Sequence, residues 1–295
     1  MKYLTWAILL SLIAGACAPP DDQGQLDELV IGLSISEDYD KTVGKIEALQ
    51  SYLVQELNMD VKIFKVTNGS AVVEAIKADK IHLGSTGAFS YIIARSKTDI
   101  TPLVTTAAAV EDTIHNYWSC LIVSSDSPIN NIADLKQEKG NLTMAWAYPT
   151  STSGHLVPRT YLRSQGILPE DFKEVMVSEN HIASLYNCIT GKIDVTVVNN
   201  TTIREYLRRG KIQPDEFKVI WESDPIPRGS IFASETLDDE LTQKIQQALV
   251  NLYQKDSVAA RRIHYRYDYP VKYIAVDDTY YDSLRAMARA IALIP

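Results

Sequence analysis

Little in this chain of 295 residues is equipped for chemistry. Its five histidines, His82, His115, His155, His181 and His264, are too scattered to make a zinc motif. There is no G-x-S-x-G turn to raise a serine nucleophile and no glycine–lysine loop of the nucleotide-hydrolysing kind. Ser153 and His155 lie close together, but no carboxylate is identifiable to orient the imidazole, so they do not read as a nucleophile and its base. No catalytic residue, cofactor or metal is expected. Positive charge is short as well: 29 Lys and Arg stand against 37 Asp and Glu, a net charge of -8. That balance argues against nucleic acid or any other polyanion as a partner. It leaves room for a small anion, which is bound through local dipoles and donors rather than overall charge. Internal repeats and low-complexity runs are absent.

Long apolar runs are also missing at the N-terminus. Trp6 to Ala16 is too short to span a bilayer, which takes about 20 residues, and follows a single positive residue, Lys2. Small residues, Ala14-Gly15-Ala16, stand directly before Cys17, an arrangement that resembles the bacterial lipoprotein cleavage signal. Residues 1–16 are therefore expected to be a signal peptide, Cys17 the lipidated residue, and residues 17–26 a tether rich in Pro, Asp and Gly. Ordinary secretion with Cys17 removed is the alternative. The expected location is the periplasm or cell surface, lipid-anchored to the membrane. Cysteine is otherwise limited to Cys120 and Cys188. They have the option of pairing in an oxidising compartment, but both sit among apolar residues, and two buried thiols are expected.

What is present is a regular alternation of strand and helix patterns. Leu29–Leu33, Val61–Val66, Ile81–Gly84 and Leu103–Thr106 read as strands. Between them lie a helix with Val43, Ile46, Leu49, Leu53 and Leu57 on one face, and shorter helices at 71–78 and 88–94. A second series has strands at 118–123, 142–147, 174–177, 193–198 and 217–221, with helices at 132–135, 156–165, 182–190 and 203–209. The alternation predicts an α/β architecture with mostly parallel sheets. After Pro225 and Pro227 only one short strand, Ile231-Phe232, precedes helical stripes (Leu241, Ile245, Leu249, Leu252, and Leu284, Met287, Ile291, Ile294). Such a tail returns to the first unit. Residues 27–117 with 224–295 are expected to form one lobe and 118–223 the other, with a ligand cleft between them. Ligands on open sheets sit beyond the carboxyl ends of strands, where the loops at Ser34, Ser85 and Thr150 fall.

The segment Pro149-Thr-Ser-Thr-Ser-Gly-His-Leu-Val-Pro158 carries the strongest functional signal. It joins an apolar strand to a helix, and the first N–H groups of a helix have no partner within it and lie at its positive end. Ser151, Thr152 and Ser153 add hydroxyl donors at that point, and Gly154 is expected to let a ligand approach the backbone. A single N-cap needs one such residue, not three. His181, just before the next helix, offers imidazole N–H donors to the same anion; a solvated loop histidine is the alternative. Asn199-Asn200-Thr201-Thr202 repeats the strand-to-helix geometry, though plain capping explains it equally well, and Gly84-Ser85-Thr86-Gly87 is a third such turn, placed to face the others across a cleft. Asn200, Thr202, Ser85 and Thr86 are retained as ligand-binding candidates, with Tyr117 as a wall of the cleft.

These residues resemble the phosphate/phosphite/phosphonate-binding proteins of bacterial ABC importers. The resemblance covers most of the chain after the leader and is densest from Tyr117 to Pro227. Tyr117-Trp118-Ser119 looks like the family's crossing into its second lobe, and Val219-Ile220-Trp221 with Ile226-Pro227 like the return. Ser151-Thr152-Ser153-Gly154 with Pro158 is similar to the oxyanion loop, and His181 matches the oxyanion-binding histidine. The resemblance implies a two-lobed periplasmic-binding-protein fold of the type II kind. Members that bind aminoalkylphosphonates hold the amine with carboxylates and a tyrosine; at those positions this chain has Thr202, Gly229 and Gly69. A ligand with little or no cationic tail is therefore implied. The expected function is the solute-binding component of an ABC importer, a monomer that takes a small phosphorus oxyanion to a membrane permease. Two alternatives stay open: a ligand-sensing protein of a signalling system, and an extracytoplasmic phosphoester hydrolase.

Overall fold

The structure is a computed structural model and describes residues 26–34, 39–66, 68–109, 117–178, 180–264 and 269–295. The expected signal peptide, Cys17 and most of the tether lie outside those residues. Among the described residues no helix is long and apolar enough to cross a membrane.

Two sheets organise the molecule. The first has six strands in the order β11-β4-β10-β3-β1-β2: β1 (Glu28–Ser34), β2 (Asp60–Val66), β3 (Leu83–Ser85), β4 (Ile100–Ala108), β10 (Ile231–Ser234) and β11 (Val271–Ala275). The second has five, in the order β7-β6-β8-β5-β9: β5 (Ser119–Ser124), β6 (Thr143–Trp146), β7 (Glu174–Val177), β8 (Val195–Asn199) and β9 (Phe217–Glu222).

The sheets are mixed, not mostly parallel. β1 runs parallel to β2 and β3, and β6 parallel to β7 and β8, each pair joined through a helix. β10, β11, β5 and β9 all pair antiparallel. The parallel strands belong to local βα units, whose crossovers fix strand direction. β5 and β10 arrive from the other sheet and β11 from the tail, without such a constraint, and β9 pairs antiparallel because its only neighbour is β5. The tail also contributes a strand that the sequence did not announce, since β11 buries only Val271 and Tyr273.

Helices cover both faces of the first sheet. α1 (Tyr39–Leu57), α8 (Asp239–Lys255) and α9 (Ser257–Ile263) bury Leu49, Leu53, Ile245, Leu249, Leu252 and Ile263 against one face. α2 (Gly69–Lys77), α3 (Ala88–Arg95) and α10 (Asp282–Ala290) cover the other. The second sheet lies between α4 (Ile132–Glu138) with α5 (Val157–Ser164) and α6 (His181–Ile189) with α7 (Asn200–Arg208). Asparagine side chains start four of these helices: Asn68 accepts from Ala71 N–H, Asn131 from Ala133 and Asp134 N–H, Asn180 from Ala183 N–H and Asn199 from Thr202 N–H. Asn68, Asn180 and Asn199 line one cleft.

The two sheets meet in two ways. Tyr117 and Ile226, on the outgoing and returning crossings, form an isolated antiparallel bridge, with Ile226 N–H donating to Tyr117 O at 2.7 Å. Leu156 and Val157, at the start of α5, are buried in the same cluster as Phe89, Ile92 and Ala288 of the first-sheet side. Fully burying such side chains contributes about 1.5–3 kcal/mol each.

Candidate functional site

β6 ends at Trp146, and the chain turns through Tyr148-Pro149-Thr150 into a single π turn, Thr152–Leu156, ahead of α5. Leu156 N–H reaches back five residues to Ser151 O at 3.0 Å. Such wide turns are rare and concentrate at functional sites. Ser151 caps the turn by accepting from Gly154 N–H at 3.0 Å, and Gly154 O accepts from Ala147 N–H at 3.0 Å, which pins the turn to the strand end. Ser119, on β5, donates its hydroxyl to Ser153 O at 2.6 Å. The N–H groups of Thr152 and Ser153, first in the turn, have no acceptor inside it. Gly154 has a different purpose from the expected one: a Cβ there falls 2.3 Å from the Ala147 Cβ, so the glycine admits the strand end rather than a ligand.

Ser153 Oγ lies 3.3 Å from His181 Nε2, the first residue of α6. The two expected oxyanion groups therefore converge although 28 residues separate them. Thr152 is shared across the cleft: its Oγ1 accepts from Phe89 N–H, in the first turn of α3, at 2.8 Å, which leaves its own proton to donate. Ser90 donates to Thr150 O at 3.0 Å and Ser70 to Thr150 Oγ1 at 3.3 Å, so the loop bears on the N-termini of both α2 and α3.

Ser151, Thr152, Ser153, His181 and Tyr117 line one cavity of about 210 Å³, together with Thr150, Asn180 and Asn199. Ser85, Thr86 and Tyr117 line a second, of about 270 Å³. Ser34, Gly87, Tyr117 and Asn199 belong to both, so the two are halves of one cleft at the carboxyl ends of β1, β3 and β8. Ser34, Ser85 and Thr150 stand there as the strand-end argument anticipated. No Asp or Glu is among the described residues lining either half.

Two expected contacts are displaced by one residue. Asn200 and Thr202 line neither half; Asn199 and Thr201 do. Successive residues at a helix start point about 100° apart, and Asn200 turns inward to accept from Trp118 N–H at 3.1 Å. The positions aligned with the amine-holding groups are closed for steric reasons as well. A Cβ at Gly229 falls 1.8 Å from the carbonyl oxygen of Thr86, and one at Gly69 falls 2.0 Å from Ser90 Oγ. Sequence reasoning missed Lys45, Arg228 and His264, all in the second half.

His155 is buried, 3.1 Å from Arg159 and edge-on to Trp146. Burial, then the Arg159 charge, hold its pKa down to about 4. It is neutral and takes no part with Ser153. Cys120 and Cys188 are free and buried, and burial raises both thiols, Cys188 to about 12. Neither is a reactive thiolate at neutral pH.

Two sheets joined by paired crossings, with a polar cleft at the junction, define a periplasmic-binding-protein fold. Consistent with this, the chain superposes on a methylphosphonate complex of PhnD1 from Prochlorococcus marinus with a TM-score of 0.77 at 20% identity, over 91% of this chain and 99% of that one. Residues 31–281 match the family model described as "ABC transporter, phosphonate, periplasmic substrate-binding protein", and the chain belongs to that family. The family is one of transport proteins, not of enzymes. The chain is similar to the "Phosphonates-binding periplasmic protein" of Escherichia coli, at 29% identity over 67% of this chain and 58% of that protein's length. It is 25% identical to the "Phosphate-import protein PhnD" of Mycolicibacterium smegmatis, over 87% of this chain and 82% of that one.

Proposed function

We propose that the protein captures a small phosphorus oxyanion outside the cytoplasmic membrane and delivers it to an ABC permease. The observation that supports this most directly is the convergence of Ser153, on a π turn at the start of a helix, with His181 at 3.3 Å. Ser151, Thr152, Ser153 and His181 hold the oxyanion, and Tyr117 walls the cleft. Residues 27–117 with 224–295 act as one lobe and 118–223 as the other, hinged at the Tyr117–Ile226 crossings. Lipid on Cys17 holds the monomer at the membrane. Hydrogen bonds to a charged group contribute about 1.5–3 kcal/mol each. Four or five reach micromolar affinity, about -8 kcal/mol, once an association cost near the low end of about 4–15 kcal/mol is met.

Calorimetric titration of wild type and Ser153→Ala with methylphosphonate and phosphate tests the reading. The lost donor lowers affinity by about 1.5–3 kcal/mol, ten- to a hundredfold, with little change in melting temperature. Equal affinity in both proteins places the anion elsewhere and refutes the assignment.

A further inference from the structure

Among the described residues, the half-cleft beyond Tyr117 is lined by cations where an amine-binding site would have carboxylates. Lys45 of α1, Arg228 of the returning strap and His264 after α9 all line it, and no carboxylate is among its described lining residues. His264 is buried, and after burial itself the charges of Lys45 and Arg228 are what hold its pKa down to about 3. Both cations therefore act on the same small space. Arg228 is held in place rather than left to the solvent. Its backbone N–H donates to Tyr280 OH at 3.3 Å, Thr105 Oγ1 donates to Gly229 O at 2.8 Å, and Thr86 N–H donates to Ser230 O at 3.3 Å. The bare Gly229 allows that strap to lie against Thr86, and the guanidinium carbon sits 5.3 Å above the ring of Tyr117, the residue common to both halves.

Size points the same way. A tetrahedral oxyanion displaces the space of two or three waters, each about 30 Å³. It is smaller than the half of about 210 Å³ that holds Ser153 and His181, so a longer ligand is needed to reach the half of about 270 Å³ lined by Lys45 and Arg228.

We propose that Lys45 and Arg228 form a second anionic subsite, so that the ligand is a phosphonate or phosphomonoester bearing a second anionic group, a carboxylate or another phosphoryl, on a short linker. This rests on the oxyanion reading given under Proposed function. Arg228 presents the planar fork suited to such a group, and Lys45 adds a point charge. His264, neutral, is a hydrogen-bonding wall.

The test compares 3-phosphonopropionate with the near-isosteric 3-phosphonopropanamide, whose tail is uncharged, by calorimetry, on wild type, Arg228→Gln, Arg228→Lys and Lys45→Gln. Wild type binds the charged-tail ligand about ten- to a hundredfold more tightly, the range that a charge-assisted contact provides. In Arg228→Gln and Lys45→Gln that ratio falls toward one, whereas Arg228→Lys retains part of it. Because the readout is a ratio within one protein, a general loss of stability does not mimic it. Equal affinity of wild type for the two ligands, or a ratio unmoved by either glutamine, overturns the second subsite and leaves the oxyanion site standing. Failure of wild type to bind either phosphonate overturns both.

Discussion

Acidification is expected to destabilise the protein through its buried histidines, and His155 allows the magnitude to be worked out. It is 6% exposed, with Trp146 against its ring and the Arg159 guanidinium 3.1 Å from Nε2. Its folded pKa is held down to about 4 by burial first and Arg159 second. In the unfolded chain it returns to about 6.5. The unfolded state therefore binds more protons than the native state between those values. Stability is complete above about pH 6.5 and falls as pH drops toward 4, at up to about 1.4 kcal/mol per unit. From about pH 7.5 to pH 5 the loss from this residue is about 2 kcal/mol. His264 acts with the same sign, its pKa being down to about 3, and so does His82, lowered by burial. Urea denaturation of wild type and His155→Gln at the two pH values isolates the contribution. The variant should lose about 2 kcal/mol less than wild type over that interval. Parallel losses in the two proteins refute a neutral buried His155.

Three further outcomes are expected. Thr152→Val removes the acceptor for Phe89 N–H, a buried cross-cleft bond of 2.8 Å; an orphaned donor costs about 1–3 kcal/mol, so methylphosphonate affinity should drop about tenfold and small-angle scattering should report a more open molecule, and unchanged values in both assays contradict the bridging role. Ethylphosphonate should bind at least about tenfold more tightly than 2-aminoethylphosphonate, whose ammonium meets Lys45 and Arg228 rather than a carboxylate; tighter binding of the amine refutes this. Cys17→Ser should release the protein from membranes or block its maturation, and an unchanged membrane fraction with normal processing removes the anchor.

Local signals were legible in the sequence and long-range ones were not. The hydroxyl turn was readable because strand, proline breaker and helix start are adjacent along the chain, and the Tyr117 crossing because it lies between two strand series, whereas the return at Ile226 came from the family resemblance. Asn199 and Thr201 line the cleft where Asn200 and Thr202 were expected, since a capping pattern does not give the rotational phase of the helix it starts. On α1 the expected face holds for Ile46, Leu49, Leu53 and Leu57 and departs only in the first turns, where Val43 is 36% exposed, Thr42 is buried and Lys45 reaches the cleft. Arg228 and His264 gave no sequence signal. The first follows a proline pair and the second ends a short helix, and only the packing of the tail on the first sheet brings them together.

The place of β10 has a consequence for how the protein is made. It lies between β3 and β4, which are close neighbours in the chain yet do not pair with each other. As residues emerge in order, β1, β2 and β3 can associate at once, and the five strands of residues 119–222 can close their own sheet. β4 has no partner until residue 231 is available, more than 120 residues after it ends. Contacts of such sequence separation form late and slowly. Deleting the tail removes the middle of a sheet rather than its edge. The same late step seats Arg228 against Tyr117. Chains interrupted before it carry a finished second sheet, an unpaired β4 prone to association with other chains, and half a cleft.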